Sequence, residues 1–336
     1  MDVSLAESFI SQMKQYIEKK HIKKLTIIWH GGEPLLWGED NFREILGFAK
    51  KNFEGINYKS SIQTNLSLMS ESYIRIFKEY NVHIGFSLDG NKELNDSQRV
   101  YSDGSGTYCD IIEKVDLCRN AGLSIGCIIV GSRKHIGRIK ELYEFLCAHQ
   151  LNFKFNPLFV SGEANNNQDE YGITAAEYAD MAIELFDLWY HDARNKLSES
   201  NFIEIASNIL TGKTSHCLFG KNCQDNFFAV SPTGDILPCG RFCDNEYQEL
   251  SYGNISERPL TEILEGRKGY ESYQRASFIE NSDCFKCEFY RICHGGCLHE
   301  GYLNSGDFRK KTFLCAAYKR IFKHIKTVLK SDNNLQ

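Results

Sequence analysis

Cys217, Cys223 and Cys239, then Cys284-x2-Cys287-x5-Cys293-x3-Cys297, then Cys315, set eight thiols at short, uneven intervals in the last third of a 336-residue chain. A buried cysteine packs as a small hydrophobe, which is the reading for Cys118 and Cys127 on their apolar runs. Four cysteines within fourteen residues, separated by Phe-Lys, Glu-Phe-Tyr-Arg-Ile and His-Gly-Gly, follow neither the helical nor the strand period. They read as ligands.

Three chemistries use such thiols. Disulfides need an oxidising compartment. The first twenty residues carry Glu7, Lys14, Glu18, Lys19 and Lys20 without the continuous apolar stretch of a secretory signal. Structural zinc favours two separated C-x2-C knuckles, whereas one C-x2-C here leads at once into wider spacings. Four-iron clusters commonly take compact uneven runs plus a remote cysteine. Iron–sulfur is therefore the favoured reading, with zinc and disulfides left open. Eight ligands suffice for two [4Fe–4S] clusters.

Composition bounds the rest. A chain of this length predicts about two domains, and 42% apolar with 25% charged residues is ordinary for a globular protein. Net charge is −5 with no long basic run, which argues against nucleic acid as a partner. The basic segment Lys19-Lys20-His21-Ile22-Lys23-Lys24 reads as a solvated helix end and loop. No apolar run of about 18 residues is present, so no membrane span is expected. Thirteen cysteines without a visible signal point to a reducing, cytoplasmic setting in which thiolates stay available for metal.

The elements that must position these groups alternate. Leu5, Phe9, Met13, Tyr16 and Ile17 share one face, predicting a helix over 3–19, and Leu25–Trp29 reads as a short strand. Helices over 40–52, 70–80, 107–121 and 137–149 then precede strands over 58–63, 82–88, 123–130 and 152–156. This alternation predicts a parallel sheet with crossover helices, as an open sheet or barrel. The strands end in His30-Gly31-Gly32-Glu33-Pro34, Gln63-Thr64-Asn65, Ser87-Leu88-Asp89-Gly90, Val130-Gly131 and Asn156-Pro157. Ligands of α/β folds bind at that edge.

Taken together, these motifs resemble the radical S-adenosylmethionine (SAM) enzymes of the SPASM subgroup, close to anaerobic sulfatase maturases. Gly31-Gly32-Glu33-Pro34 resembles the family's SAM-amine motif. Ser87-Leu88-Asp89-Gly90, Arg99 and Gly104-Ser-Gly106-Thr-Tyr108 resemble its next βα unit, and Cys223-x10-Gly234-x4-Cys239 with the following cysteines resembles SPASM. The resemblance implies an α/β fold, a partial (β/α)6 TIM-like barrel lacking its first strand over residues 1–200, followed by a SPASM domain over 201–336. It implies SAM contacts from Gly32, Glu33, Asn65, Ser87, Arg99 and, near the next match, Val160. It implies one auxiliary cluster on Cys217, Cys223, Cys239 and Cys297, and another on Cys284, Cys287, Cys293 and Cys315. Cys243 is left as a spare thiol.

The implied activity is oxidative modification of a peptide or protein. A 5′-deoxyadenosyl radical abstracts a substrate hydrogen, and the auxiliary clusters accept an electron from the substrate radical. Flavodoxin or ferredoxin is the expected electron donor.

Two departures shape the expectation. The family's C-x3-C-x2-C loop, whose cluster anchors SAM, has no counterpart, because no cysteine precedes Cys109. The chain is therefore expected to be truncated or split, unable by itself to cleave SAM, with strand 25–29 as an unpaired edge. A non-catalytic scaffold or peptide-binding subunit is the alternative. Sulfatase maturases also carry an Asp directly after the third auxiliary cysteine, where Gly240 stands here, and glycine is no general base. Asp235 and Asp244 are the nearby acids. This favours thioether or carbon–carbon crosslinking over formylglycine formation.

Overall fold

Ile10, Met13 and Ile17 recur at helical spacing and are buried along α1 (Val3–Lys20), which Asp2 caps. From there the alternation runs β1 (Lys24–Trp29), α2 (Glu39–Asn52), β2 (Asn57–Thr64), α3 (Glu71–Glu79), β3 (Val82–Ser87), α4 (Lys92–Asp96), α5 (Tyr108–Asn120), β4 (Ile125–Gly131), α6 (Ile139–Ala148) and β5 (Phe153–Pro157). Five parallel strands and their helices therefore stand where periodicity set them, each end within two residues or so. The fold class is α/β. The structure, a computed structural model, describes residues 1–158, 168–193, 196–214, 217–243 and 245–333.

After β5 come α7 (Gln168–Tyr171), α8 (Ala175–His191), α9 (Ser200–Thr211), a small antiparallel pair β6 (Ala229–Val230) and β7 (Ile236–Leu237), α10 (Leu260–Gly266), α11 (Glu271–Glu280), α12 (Tyr290–Cys293), α13 (Leu298–Leu303) and α14 (Cys315–Asn333). Two compact units gather these elements. One comprises Met1–Ser87, Asp110–Ile125 and Gln224–Gln274, the other Leu88–Cys109, Gly126–Cys223 and Arg275–Gln336.

In the first unit β1, β2 and β3 pair in parallel, with Ile28 opposite Ser61 and Ile62 opposite Ile84. Phe42 of α2 is 1% exposed and packs edge-on against Trp29, Trp37, Tyr73 and Phe77, with ring centroids 5.3–6.0 Å apart. Edge-on rings at this distance add to the area they bury. The β6–β7 segment is tied to α1 through Gln12, whose amide donates to Ile255 O at 3.1 Å and accepts from Leu260 N at 2.7 Å. Among the described residues β1 pairs only with β2, and Ile28 is 56% exposed.

In the second unit β4 pairs in parallel with β5, Ile129 opposite Phe155. Ile84 N–H donates to Ser124 O in the first unit, and Leu88 N–H to Ile128 O in the second, so the strand order is β1-β2-β3-β4-β5. A Thr174–Glu177 capping box starts α8. Helix α14 lies along α8, fixed by His324 to Asp187 at 2.6 Å and Arg320 to Asp180 at 2.5 Å over buried Phe322 and Ile325. That docking sets the position of Cys315, the first residue of α14. No helix among the described residues is long and apolar enough to cross a membrane.

Candidate functional site

The β1 end of the first unit is built around Glu33. Its Oε1 accepts from Leu35 N at 3.0 Å and from the Thr64 hydroxyl at 2.6 Å, and its Oε2 accepts from Asn65 N at 2.8 Å. The carboxylate thus fastens the β1 loop to the end of β2. Gly31 and Gly32 have φ of +103° and +41°, which only glycine takes readily, and nothing lies within 4 Å of where a Cβ would stand. The backbone there is open to a ligand. Ser87, at the end of β3, accepts from the Gln63 amide at 3.2 Å.

The same unit holds the Cys239-Gly240-Arg241 loop. Desolvation, and then the Arg241 guanidinium, hold the His30 imidazole below its ordinary range, so this loop stands within electrostatic reach of the β1 end. Gly240 has open space around its Cβ position and no positive φ. Asp235 accepts from the Thr233 hydroxyl at 2.6 Å and the Asn254 amide at 3.0 Å, which pull its carboxyl below the usual range. It shapes a turn. Asp244 and Val160 lie outside the described residues.

In the second unit Arg99 is already engaged. Its Nε donates to Asp89 Oδ2 at 2.7 Å and Nη2 to Oδ1 at 3.4 Å, while Val130 N–H donates to the same carboxylate at 2.8 Å. Buried His135 accepts at Nδ1 from Ser132 N–H, which leaves its proton on Nε2 to donate to Asp89 O at 2.8 Å. Burial holds that imidazole below its ordinary value. Asp89 therefore fixes Arg99, and a guanidinium with five N–H groups keeps others for a second acceptor. The Ser-Leu-Asp-Gly tetrapeptide read as a strand end; nothing in its spacing announced the partnership with Arg99 or His135.

The cysteine tail makes the sharper site. Cys284, Cys287, Cys293 and Cys315 line a single cavity of about 100 Å³, walled by Phe289 and Phe322 and edged by Lys311 and Lys319. Aromatic packing assembles it: Phe219 sits 5.1 Å from both Tyr318 and Phe322, and Phe289 sits 5.6 Å from Phe322. A single zinc ion would need four thiolates about 2.3 Å from one point. Among the described residues no three potential ligands converge in that way. Four thiols around a cavity suit a larger cluster. Burial pushes the Cys293 thiol up to about 12, with Cys315, Cys284 and Cys287 adding to it, so these four sulfurs feel one another.

Of the other four, buried Cys297, half-buried Cys223 and exposed Cys217 belong to the second unit, and Cys239 to the first. None of the thirteen cysteines forms a disulfide. Cys118 and Cys127 are buried, as the apolar runs required. Burial pushes the first up to about 11 and raises the second further, its thiol donating to Leu88 O. The sequence reading passed over Arg275 of α11, which is 5% exposed, donates from Nη2 to Gly295 O and Lys310 O, and has no partner at Nε. A lone Arg in an amphipathic run gives no signal.

Residues 5–146 match the Radical SAM superfamily and residues 217–288 match SPASM, an iron–sulfur cluster-binding domain. A cysteine-type anaerobic sulfatase-maturating enzyme of Clostridium perfringens (strain 13) is 26% identical over 309 residues, covering 89% of this chain and 80% of the relative. A serine-type enzyme of Klebsiella aerogenes is 24% identical over 330 residues, covering 97% and 78%. An uncharacterized protein of Methanothermobacter thermautotrophicus is 31% identical over 187 residues, covering 56% and 68%. The solved structure of native anSMEcpe with bound AdoMet and Kp18Cys peptide superposes with a TM-score of 0.86 at 22% identity, covering all of this chain and 91% of that one. That likeness carries the fold, a partial TIM-like barrel followed by SPASM. With both domain models matched in order and sulfatase-maturase homologues along nearly the whole length, the chain belongs to the radical SAM superfamily, in its SPASM-bearing, sulfatase-maturase-like branch.

Proposed function

We propose that this protein is a radical SAM oxidoreductase that modifies a peptide or protein side chain and carries two auxiliary [4Fe–4S] clusters. One observation carries the reading: four cysteines, two from one short turn, one from the end of α12 and one from the start of α14, line one cavity in a chain of this superfamily. We assign Cys284, Cys287, Cys293 and Cys315 to one cluster, and Cys217, Cys223, Cys239 and Cys297 to the other. When bound, the clusters supply one-electron transfer at potentials set by burial and hydrogen bonds to sulfur, and SAM supplies the hydrogen-abstracting group.

The chain's own residues bind and orient. Gly32 and Glu33 hold open backbone for the methionyl amine, with Asn65 tied to the same carboxylate. Arg99, held by Asp89, offers its remaining N–H groups to the SAM carboxylate. Ser87 joins this set as a polar strand-end group, and Val160 joins it on the resemblance alone. The substrate is a peptide or protein, in keeping with the peptide-bound solved relatives, and flavodoxin or ferredoxin is the electron donor. With Gly240 where the relatives' Asp would stand, thioether or carbon–carbon crosslinking fits better than formylglycine formation.

Anaerobic reconstitution of residues 1–336 tests the assignment. Eight irons and eight sulfides are expected. A stoichiometry near four would remove the two-cluster assignment, and stoichiometric zinc would remove it altogether. No 5′-deoxyadenosine is expected from these residues alone, since each auxiliary cluster has four protein ligands and no open iron. A chain extended with a strand and C-x3-C-x2-C loop should produce it.

A further inference from the structure

Arg275 is a buried cation that the strand-end and cysteine sites leave unexplained. Only 5% exposed, it forms no ion pair with a carboxylate among the described residues. A buried charge of this kind is costly unless paired. Its guanidinium is nevertheless held firmly: Nη2 donates to Gly295 O at 3.0 Å and to Lys310 O at 3.2 Å. Gly295 lies in the loop between Cys293 and Cys297. The Gly301 backbone also closes on it, since a Cβ there would stand 3.3 Å from Nη2 and 2.4 Å from Lys310 O. Against this fixed arrangement Nε keeps an unpartnered N–H.

The groups that act on this charge are thiols. Burial disfavours the guanidinium, while Cys297, Cys223, Cys284 and Cys293 favour it, in that order. Cys223 and Cys297 belong to one proposed ligand set, and Cys284 and Cys293 to the other. The inference rests on that two-cluster reading.

We propose that Arg275 is a counter-cation shared by both auxiliary clusters, its free Nε–H donating to a cysteinyl or cluster sulfur and its charge raising both reduction potentials. A positive charge stabilises the reduced, more negative form of each cluster, and a hydrogen bond to sulfur acts in the same direction. Because one cation serves both sets, reduction of one cluster weakens what it offers the other.

The test is potentiometric titration of the reconstituted full chain, followed by electron paramagnetic resonance, for the native protein, Arg275→Lys and Arg275→Met. Both variants should keep the native iron and sulfide content. Arg275→Met should shift both midpoint potentials to more negative values, and Arg275→Lys, which keeps the charge but not the Nε donor, should shift them less. Unchanged potentials at full iron content would overturn the proposal, as would a shift confined to one cluster. Loss of iron in both variants would also overturn it, because the residue would then be a structural prop. If only Arg275→Met loses iron, the lysine variant decides: native potentials there sink the idea, and a negative shift in both clusters upholds it. Failure of the native chain to bind two clusters is a separate result that removes the two-cluster reading itself.

Discussion

Ile62, Ile84 and Phe86 of the β1–β3 layer are at most 1% exposed, whereas the segment from Cys284 to Cys315 encloses four half-buried thiols with helical turns of four to six residues. The first region is an apolar interior in which each strand presents alternate residues to helices. Its stability is spread over many side chains at about 25 cal/mol per Å² of buried apolar area. The second has few such residues for its length, and turns that short do not hold themselves. On the proposed cluster assignment, periodic burial and ligand geometry are separate ways of fixing a backbone, each with its own point of failure.

The largest effect should come from the ligands. Cys287→Ala should remove about half of the reconstituted iron and sulfide and open the 284–315 segment to proteases, because the proposed ligation would couple to local folding there. Cys118→Ala should keep all the iron. Iron and sulfide assays with limited proteolysis check both, and the opposite pattern would break the ligand assignment.

Next comes the interior. Phe42→Ala deletes a ring with four aromatic neighbours and should cost about 3–5 kcal/mol in denaturant unfolding. Its iron content should stay native. Iron lost in parallel with stability would show that the two regions fail together, which would collapse the comparison.

A smaller, pH-dependent effect belongs to Glu199. Fully buried, it caps α9 by accepting from Phe202 N–H and also accepts from Phe155 N–H at 2.9 Å. Burial pushes its carboxyl up to about 7 from an ordinary 4.5. Between those values the folded chain holds a proton that the unfolded chain has released, so stability from this group is greatest below 4.5 and falls as pH rises to about 7. Glu199→Gln should remove that slope. Denaturant midpoints at either end of the window check it, and an unchanged slope would assign it to other groups.

How much could be read in advance follows the same division. The five strands and their helices were legible because apolar residues recur at fixed periods, as at Ile10, Met13 and Ile17. The four cysteines that line one cavity, Cys284, Cys287, Cys293 and Cys315, were legible because their spacing breaks every such period. What stayed hidden were pairings between distant residues of no special type. Asp89 holding Arg99, Glu33 holding Asn65 N–H, and Arg275 reaching Gly295 O and Lys310 O all depend on where the fold returns the chain. Helices α8 and α14 likewise fall after the regular alternation ends, and their salt bridges link residues some 140 positions apart.

The smallest effect predicted is at Gly240, and it bears on both regions. This residue follows Cys239, opens the short helical turn Gly240–Phe242, has no positive φ, and has nothing within 4 Å of its Cβ position. A side chain there meets neither strain nor collision, and an acidic residue at a helical start is mildly favoured. Gly240→Asp should therefore change stability by no more than about 0.5 kcal/mol and leave iron content native. Its one measurable consequence should be electrostatic. A carboxylate beside Cys239 disfavours the more negative reduced form, so only the cluster assigned to Cys217, Cys223, Cys239 and Cys297 should move to a more negative potential. A shift in the cluster of Cys284, Cys287, Cys293 and Cys315 instead would mean that Cys239 has been given to the wrong set.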